Sequence, residues 1–521
     1  MKRSFIIIFF ITVSLFNSLF PLLLPEKTDA VVKDVQEKDG KIIKATLVDP
    51  TPLNSPVGKL IFKGVINFYE NGKIKEGEIE NQFVNTLIGR LKLEGKISFY
   101  ENGKIKEINI AEPQKARLPV GVMTVEGIAF FYDNGNIDRV DLSSAQIINT
   151  SVGKLKMDGT LYFHQSGKFL GAYLAEHQII KTPVGNFKVK YVSFYENNKL
   201  KSIQTSEPTD FANNLGNFKI KGASFYENGK ILSVEIVPQN INLDGIFNVK
   251  EIQFYESGAV RRLILDKVKP YDFDGKVINI TSVYLDENMN KIGFDISPVE
   301  IKTSVGSFNV KTIYFYENNK LKSIELVEPV SVNSINNCIK LSFYHNGSLF
   351  NAVINKPILY QSPLGNFSVI GFYFDISDST KIIGINFDKP TFVRTPVGSL
   401  RMTSLFYSDK IVKGGSIIEK PVNVFNKRFF VNYLGFNDKG KIIKIVLSKP
   451  QIIKIGKLSF NVMDKMFFYE TGKVKAIVIK DKVVMNDKEY KEKDMLIFAE
   501  DETFIGKGKY DSDKDDVEIE K

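Results

Sequence analysis

The sequence predicts an all-β fold, an elongated antiparallel array of β-hairpin repeats with little helix apart from the N-terminal leader. Three observations predict it. The stretch Phe68-Tyr69-Glu70-Asn71-Gly72-Lys73-Ile74-Lys75 returns at residues 99–106 and 194–201, and in shorter form from Phe225, Phe315 and Phe468. A second mark, Val-Gly or Leu-Gly, recurs between the copies, as at Pro56-Val57-Gly58, Pro119-Val120-Gly121, Pro363-Leu364-Gly365 and Pro396-Val397-Gly398. The connections between β-forming runs are too short for helical crossovers, so neighbouring strands should be antiparallel.

The chain starts with Lys2-Arg3, then an apolar run over residues 5–20 that is broken only by Thr12, Ser14, Asn17 and Ser18. With the small residue Ala30 beyond it, residues 1–30 read as a secretory signal cleaved after Ala30, or as an uncleaved membrane anchor. Either reading sends the protein out of the cytoplasm, to the periplasm or cell surface. No Cys follows the apolar run, which excludes a lipid anchor on cysteine.

Residues 31–480 carry the repeat. Its Phe stands at Phe68, Phe99, Phe131, Phe163, Phe194, Phe225 and Phe254, then in degenerate copies as far as Phe468, giving about fourteen repeats of about 31 residues. Lys38-Asp39-Gly40-Lys41 begins the array as a truncated copy. Asn-Gly between β-forming runs signals a two-residue type I′ turn, with positive φ at both residues. That turn would pair Glu101 with Lys104, Tyr100 with Ile105, Phe99 with Lys106, Ser98 with Glu107 and Ile97 with Ile108. Ile97, Phe99, Ile108 and Ile110 then make the core face, and Tyr–Ile pairs form apolar spots on the other. Stacked along the array, those spots offer a binding surface at Tyr69, Tyr100, Tyr195, Tyr226 and Tyr316. Where Asn replaces Gly, at Asn197-Asn198 and Asn318-Asn319, it tolerates the left-handed conformation.

Strands should end at X-Pro, as at Glu112-Pro113, Glu207-Pro208 and Glu328-Pro329. Pro followed two residues later by Gly then fits a tight turn. Beyond the array, residues 481–510 read as a capping hairpin unit and residues 511–521 as an acidic, disordered tail.

Composition narrows the chemistry. With 70 Lys and Arg against 60 Asp and Glu, the formal charge of +10 is spread through every repeat instead of clustered, which argues against nucleic acid as a partner. The lone Cys338 excludes an internal disulfide framework and gives no reason to expect a disulfide-linked partner; it reads as a buried apolar residue. The three histidines, His164, His177 and His345, have no ligating companions nearby in sequence. Gly506-Lys507-Gly508-Lys509 lacks phosphate-loop spacing, and the acidic run at 511–515 lacks the central glycine of a calcium loop. No cofactor, metal site or catalytic set is expected, because a repeat places the same residues everywhere whereas catalysis needs one unique constellation.

The Phe-Tyr-Glu-Asn-Gly-Lys-Ile-Lys copies resemble the bacterial variant of MORN repeats, whose core is an aromatic residue, Asn-Gly, then Lys and an apolar residue. The resemblance covers about a third of each repeat. It implies elongated antiparallel sheets that act as scaffolds, contacting proteins or membranes. The repeat here is longer than the family's usual low twenties. The expected function is a non-enzymatic scaffold or binding protein of the cell envelope, with a protein or membrane partner. The alternative is a periplasmic carrier with an apolar groove for lipid or lipopolysaccharide, akin to jelly-roll transport proteins. An outer-membrane barrel fits less well, since Lys lies on both faces of the strands.

Overall fold

A computed structural model describes residues 20–23, 29–182, 184–243, 245–511 and 516–519. It is all-β and antiparallel, with strands following one another as a meander and no helix among the described residues. The chain forms two compact units, Met1–Asp266 with Glu287–Met289, and Lys267–Asp286 with Asn290–Lys521.

One stretch of the first unit illustrates the repeat: β1 (Gly58–Phe68), β2 (Ile74–Thr86), β3 (Gly89–Phe99), β4 (Ile105–Leu118) and β5 (Gly121–Phe131). Each pairs with the next. The expected pairs Ile97–Ile108 and Ser98–Glu107 are present, but Phe99 faces Ile105 and not Lys106. The turn is the reason. Gly103 N–H donates to the Tyr100 carbonyl at 2.8 Å, and Tyr100 N–H donates to the Lys104 carbonyl at 2.8 Å. Gly103 has φ 86° while Asn102 stays at negative φ. This is a three-residue loop closed by a glycine bulge, not the two-residue turn that Asn-Gly signals. The bulge sets Ile105 inward, 5% exposed, so neither the Tyr100–Ile105 spot nor the Glu101–Lys104 pair forms. Asn102 instead turns its side chain back to accept from Lys104 N–H. Asn198 and Asn319 take the glycine's place with φ 65° and 61°. A true two-residue turn with both φ positive occurs at Asp39-Gly40.

The Pro-Val-Gly turns are two-residue loops with a hydroxyl clasp. Ser55, Thr86, Thr150, Thr182, Thr303, Ser362 and Thr395 each donate to the carbonyl of the glycine three residues on. The expected strand end at X-Pro is present at Lys449-Pro450, where Ile442–Leu447 stops and Gln451–Ile455 begins, but at Glu112-Pro113, Glu207-Pro208 and Glu328-Pro329 the strands run on. They turn a corner there: Ile110 pairs Gly127 and Gln114 pairs Val125, leaving residues 111–113 opposite Glu126 alone. Proline suits this place because its missing N–H is not needed by the ladder.

The corner folds each strand back. A straight 14-residue strand spans about 46 Å, yet the hairpin tips return to the line of aromatic-glycine turns. Ser304 Oγ donates to the Gly347 carbonyl at 2.7 Å, and a Cβ on Gly103 would lie 3.4 Å from Pro56. In both units the strand halves nearest the Asn-Gly turns form one layer and the Pro-Val-Gly hairpins a second, with the core between them. Phe62, Phe99 and Phe163 in the first unit and Phe343 and Phe372 in the second are nearly fully buried, each worth about 1.5–3 kcal/mol of burial. Phe460 of the hairpin layer packs on Phe498 at 5.6 Å.

At the N-terminus, Phe20–Leu23 pairs with residues 29–32; most of the expected leader lies outside the described residues. At the C-terminus, Asp516–Ile519 of the tail expected to be disordered instead pairs with Phe504–Asp511, because Val517 is buried over Phe467, Val478 and Ile497. The capping region 481–510 holds the hairpin Val483–Met485 with Lys488–Tyr490, and Met495–Phe498 extends the meander.

Candidate functional site

The five tyrosines expected to form a binding surface are half-buried, and their hydroxyls are engaged. Tyr69 donates to the Phe99 carbonyl at 2.8 Å, Tyr100 to Phe131 at 2.8 Å, Tyr195 to Phe225 at 2.7 Å, Tyr226 to Phe254 at 2.7 Å and Tyr316 to Phe343 at 2.7 Å. Tyr132, Tyr344 and Tyr469 do the same, and at His164 an imidazole Nε2–H takes the phenol's part with Phe194. Each aromatic side chain therefore fastens its repeat to the next. A lysine lies over four of these rings, at 5.8 Å for Tyr69 and Tyr100, 5.7 Å for Tyr195 and 5.5 Å for Tyr316. The turn lysines also reach forward: Lys104 donates to the Asn134 carbonyl and Lys230 to the Glu256 carbonyl. Burial pushes up the phenols of Tyr69, Tyr100 and Tyr195, and that of Tyr132 to about 12 with help from Asp138.

Sequence reasoning missed a second fastening, made by glutamine. Gln114 accepts from Lys92 N–H at 2.7 Å and donates to the Lys92 carbonyl at 2.8 Å. Gln82 serves Ile61, Gln146 serves Thr124, Gln178 serves Lys156 and Gln451 serves Phe430 in the same two-sided way. The side-chain amide stands in for a peptide group and closes the seam between adjacent hairpins. The signal was there, at residues 82, 114, 146 and 178, but a polar residue in a strand reads as solvent-facing.

The outward face of the hairpin layer is different in character. Phe83, Ile147 and Ile179 in the first unit are 58%, 63% and 71% exposed; Leu359, Phe392 and Ile452 in the second are 76%, 71% and 79% exposed. Phe83, Ile147 and Ile179 pair across the hairpin with Lys92, Lys156 and Lys188. Those lysines bridge to Glu112, Glu176 and Glu207 at the corners, at 3.3, 2.7 and 3.6 Å. Exposed pairs of this kind add about 0–1 kcal/mol each.

In the second unit the strand layer carries aromatic rings on its outward face. Phe350 lies 5.4 Å from Tyr373, Tyr373 lies 4.6 Å from Phe406, and Phe406 lies 6.5 Å from Tyr433. A Cβ on Gly384 would meet the Phe406 ring at 2.7 Å, so the missing side chain makes room for the ring. Beside Tyr433 is a hollow of about 470 Å³, lined by Thr403, Ser416, Ile417, Asn432, Tyr433, Lys444 and Val446. Lys444, 7% exposed, sits over Tyr433, Phe467 and Tyr510 at 5.4, 5.6 and 4.7 Å and donates to Tyr510 Oη at 2.9 Å.

Among the described residues, no three His, Cys, Asp or Glu side chains gather in a way that could hold a metal ion. His345 stacks on Tyr316 at 3.6 Å, and His177 is exposed at a corner. Cys338 is buried, and burial pushes its thiol up to about 11, the opposite of what a nucleophile needs. No helix among the described residues is long and apolar enough to cross a membrane.

No protein-family model matches the chain, and no curated protein matches it. Among solved structures, it is similar at 9% identity to a chain of the TcdB2-TccC3-Cdc42 crystal structure, covering 91% of this chain and 24% of that one with a TM-score of 0.14. It is similar, also at 9% identity, to a chain of the Photorhabdus luminescens Tc holotoxin pore, covering 96% of this chain and 28% of that one, again with a TM-score of 0.14. The chain thus spans about a quarter of the length of these chains. Likenesses of this size carry no argument about function.

Proposed function

We propose that this protein is an exported, non-enzymatic repeat scaffold of the cell envelope, holding a protein or membrane partner against the outward face of its Pro-Val-Gly hairpins. The observation that carries the reading is a large apolar side chain, more than half exposed, at the same place in three hairpins of the first unit, Phe83, Ile147 and Ile179; Ile147 and Ile179 are in successive hairpins, and Lys115 holds that place between Phe83 and Ile147. Contiguous exposed apolar surface rimmed by charge marks interaction sites. The other repeated polar groups are occupied in holding the fold, the tyrosines between repeats and the glutamines between hairpins. Export rests on Lys2-Arg3 and the apolar run that follows.

The test uses the full chain in a Gram-negative host, with a photo-crosslinking residue at Phe83 or Ile179 and, as control, at Asn71 on the turn edge. Envelope localisation with crosslinks confined to the hairpin positions supports the reading. Retention in the cytoplasm, or equal crosslinking at all three sites, overturns it. Native mass spectrometry of residues 31–521 separates a scaffold from a lipid carrier, since a groove protein would retain an added mass of lipid size.

A further inference from the structure

We infer that the hairpin tips of the first unit bind a linear acidic polysaccharide, one that carries a carboxylate on every second sugar. In five successive hairpins there, the last outward-facing pair before the tip is Asn54–Lys59, Asn85–Arg90, Arg117–Val122, Asn149–Lys154 and Lys181–Asn186. Their strand neighbours Leu53, Val84, Ala116, Ile148 and Ile180 are buried, so all ten residues stand on the opposite, exposed face. Each hairpin thus offers one cation, and in four of the five an asparagine lies across from it.

The glutamine seams make these hairpins one surface. Gln82, Gln114, Gln146 and Gln178 each tie a hairpin to the one before it. Two strands advance about 10 Å, so the cations recur at about that distance. The row stops after Lys181, where the next pairs, Ala212–Asn217 and Asn242–Ile246, carry no charge.

The fold makes no use of these groups. Among the described residues, none of the five cations has a carboxylate partner and none of the four amides a hydrogen-bond partner. Arg90 lies over the Phe83 ring at 5.0 Å, a contact that leaves its charge unpaired. By contrast, Lys92, Lys156 and Lys188, one outward pair farther from the tips, are bridged to corner glutamates. In the neighbouring turns, Glu101 and Asp133 accept from Asn71 and Gln165. Beside Asn149 is a hollow of about 510 Å³, whose lining includes Ser166, Lys168, Glu196 and Asn197.

Spacing and chemistry select the ligand. A nucleic-acid strand carries a charge about every 3.4 Å, far denser than this row, and none of the ten residues has a ring to stack a base. A lipid surface would call for apolar side chains, and only Val122 among the ten is apolar. A polysaccharide with one carboxylate per disaccharide repeats at about the hairpin spacing. The cations take its carboxylates as charge-assisted partners, and the asparagine amides, each both donor and acceptor, take the hydroxyls between them. Phe83, Ile147 and Ile179 lie one outward pair away, so this ligand is additional to the partner proposed for them.

The experiment is calorimetric titration of the full chain with hyaluronan, the alternating polymer of glucuronate and N-acetylglucosamine. A decasaccharide should bind about tenfold or more tighter than a tetrasaccharide, than polyglutamate and than single-stranded DNA. Lys154→Glu should weaken it about tenfold, while Lys311→Glu, the same charge change at an exposed site in the second unit, should not. Asn85→Ala with Asn149→Ala should also weaken it, which a surface reading charge alone would not show, and these exposed changes should leave the circular dichroism as it is. Equal binding of polyglutamate or DNA, equal loss in Lys311→Glu, or no binding of the decasaccharide at millimolar concentration overturns the inference.

Discussion

The hydroxyl of Tyr100 donates to the backbone carbonyl of Phe131 at 2.8 Å, across 31 residues of sequence and one full repeat. The same bond recurs at Tyr69, Tyr132, Tyr195, Tyr226, Tyr316, Tyr344 and Tyr469. Removing it with Tyr100→Phe keeps the ring and costs one hydrogen bond, an expected loss of about 1 kcal/mol. The check is the urea midpoint; an unchanged midpoint would mean that water serves the Phe131 carbonyl equally well.

The ladder also predicts softening in alkali. A phenolate cannot donate, and the folded protein holds the Tyr132 proton up to about 12 against an ordinary 10.0, first through burial and then through Asp138. Because the folded value lies above the unfolded one, this contribution is complete below pH 10 and is lost as pH rises towards 12. Tyr69, Tyr100 and Tyr195 are shifted the same way. Tyrosinate absorbance and circular dichroism should change together in that window, and Tyr132→Phe should reduce the dependence. Ionisation at pH 10 without loss of structure would contradict the role given to the hydroxyls.

Gln114→Leu keeps the bulk of the side chain and removes both bonds to Lys92. Its clearest effect should be local: exchange of the Lys92 amide faster by about tenfold or more, with amides in Phe99 and Ile108 little changed. Uniform acceleration would point to general destabilisation instead of an opened seam.

Gly103 has φ 86°, and a Cβ there would lie 3.4 Å from Pro56. Gly103→Ala should cost about 1 kcal/mol or more, whereas Gly103→Asn should cost less, since Asn198 and Asn319 already occupy this place at φ 65° and 61°. Thermal midpoints of the two variants decide it, with equal losses arguing against backbone strain as the cause.

On the hairpin face, Ile179→Ser should leave stability within about 0.5 kcal/mol, because Ile179 is 71% exposed. A large loss of stability in the isolated protein would mean that the side chain serves the fold and not a partner.

Much of the fold was legible because it is local. Ile97–Ile108 and Ser98–Glu107 follow from alternation between two strands joined by a short turn. The turn type was not, since Asp-Gly and Asn-Gly look alike as turn signals, yet Asp39-Gly40 makes a two-residue turn and Asn102-Gly103 a bulged loop. Nor was the doubling back at Pro113, which depends on hairpin tips meeting turns more than 40 residues away, as Ser304 meets Gly347. The expected tyrosine surface failed for the same reason: Tyr69 and Tyr316 spend their hydroxyls on a partner that alternation within one hairpin cannot reveal. Lys444 carried no signal among 70 basic residues, because only burial marks it out.

The forward reach of each tyrosine gives the array a direction in time as well as in space. During synthesis a repeat can close its own hairpins, yet its phenol has no acceptor until the next repeat has emerged. Order should therefore advance along the growing chain about one repeat behind its leading end, and the segment always waiting is the one carrying an unanswered tyrosine. The last of these, Tyr469, finds its acceptor in Phe498. A chain stopped before that strand would remain a folding front with nothing to meet it.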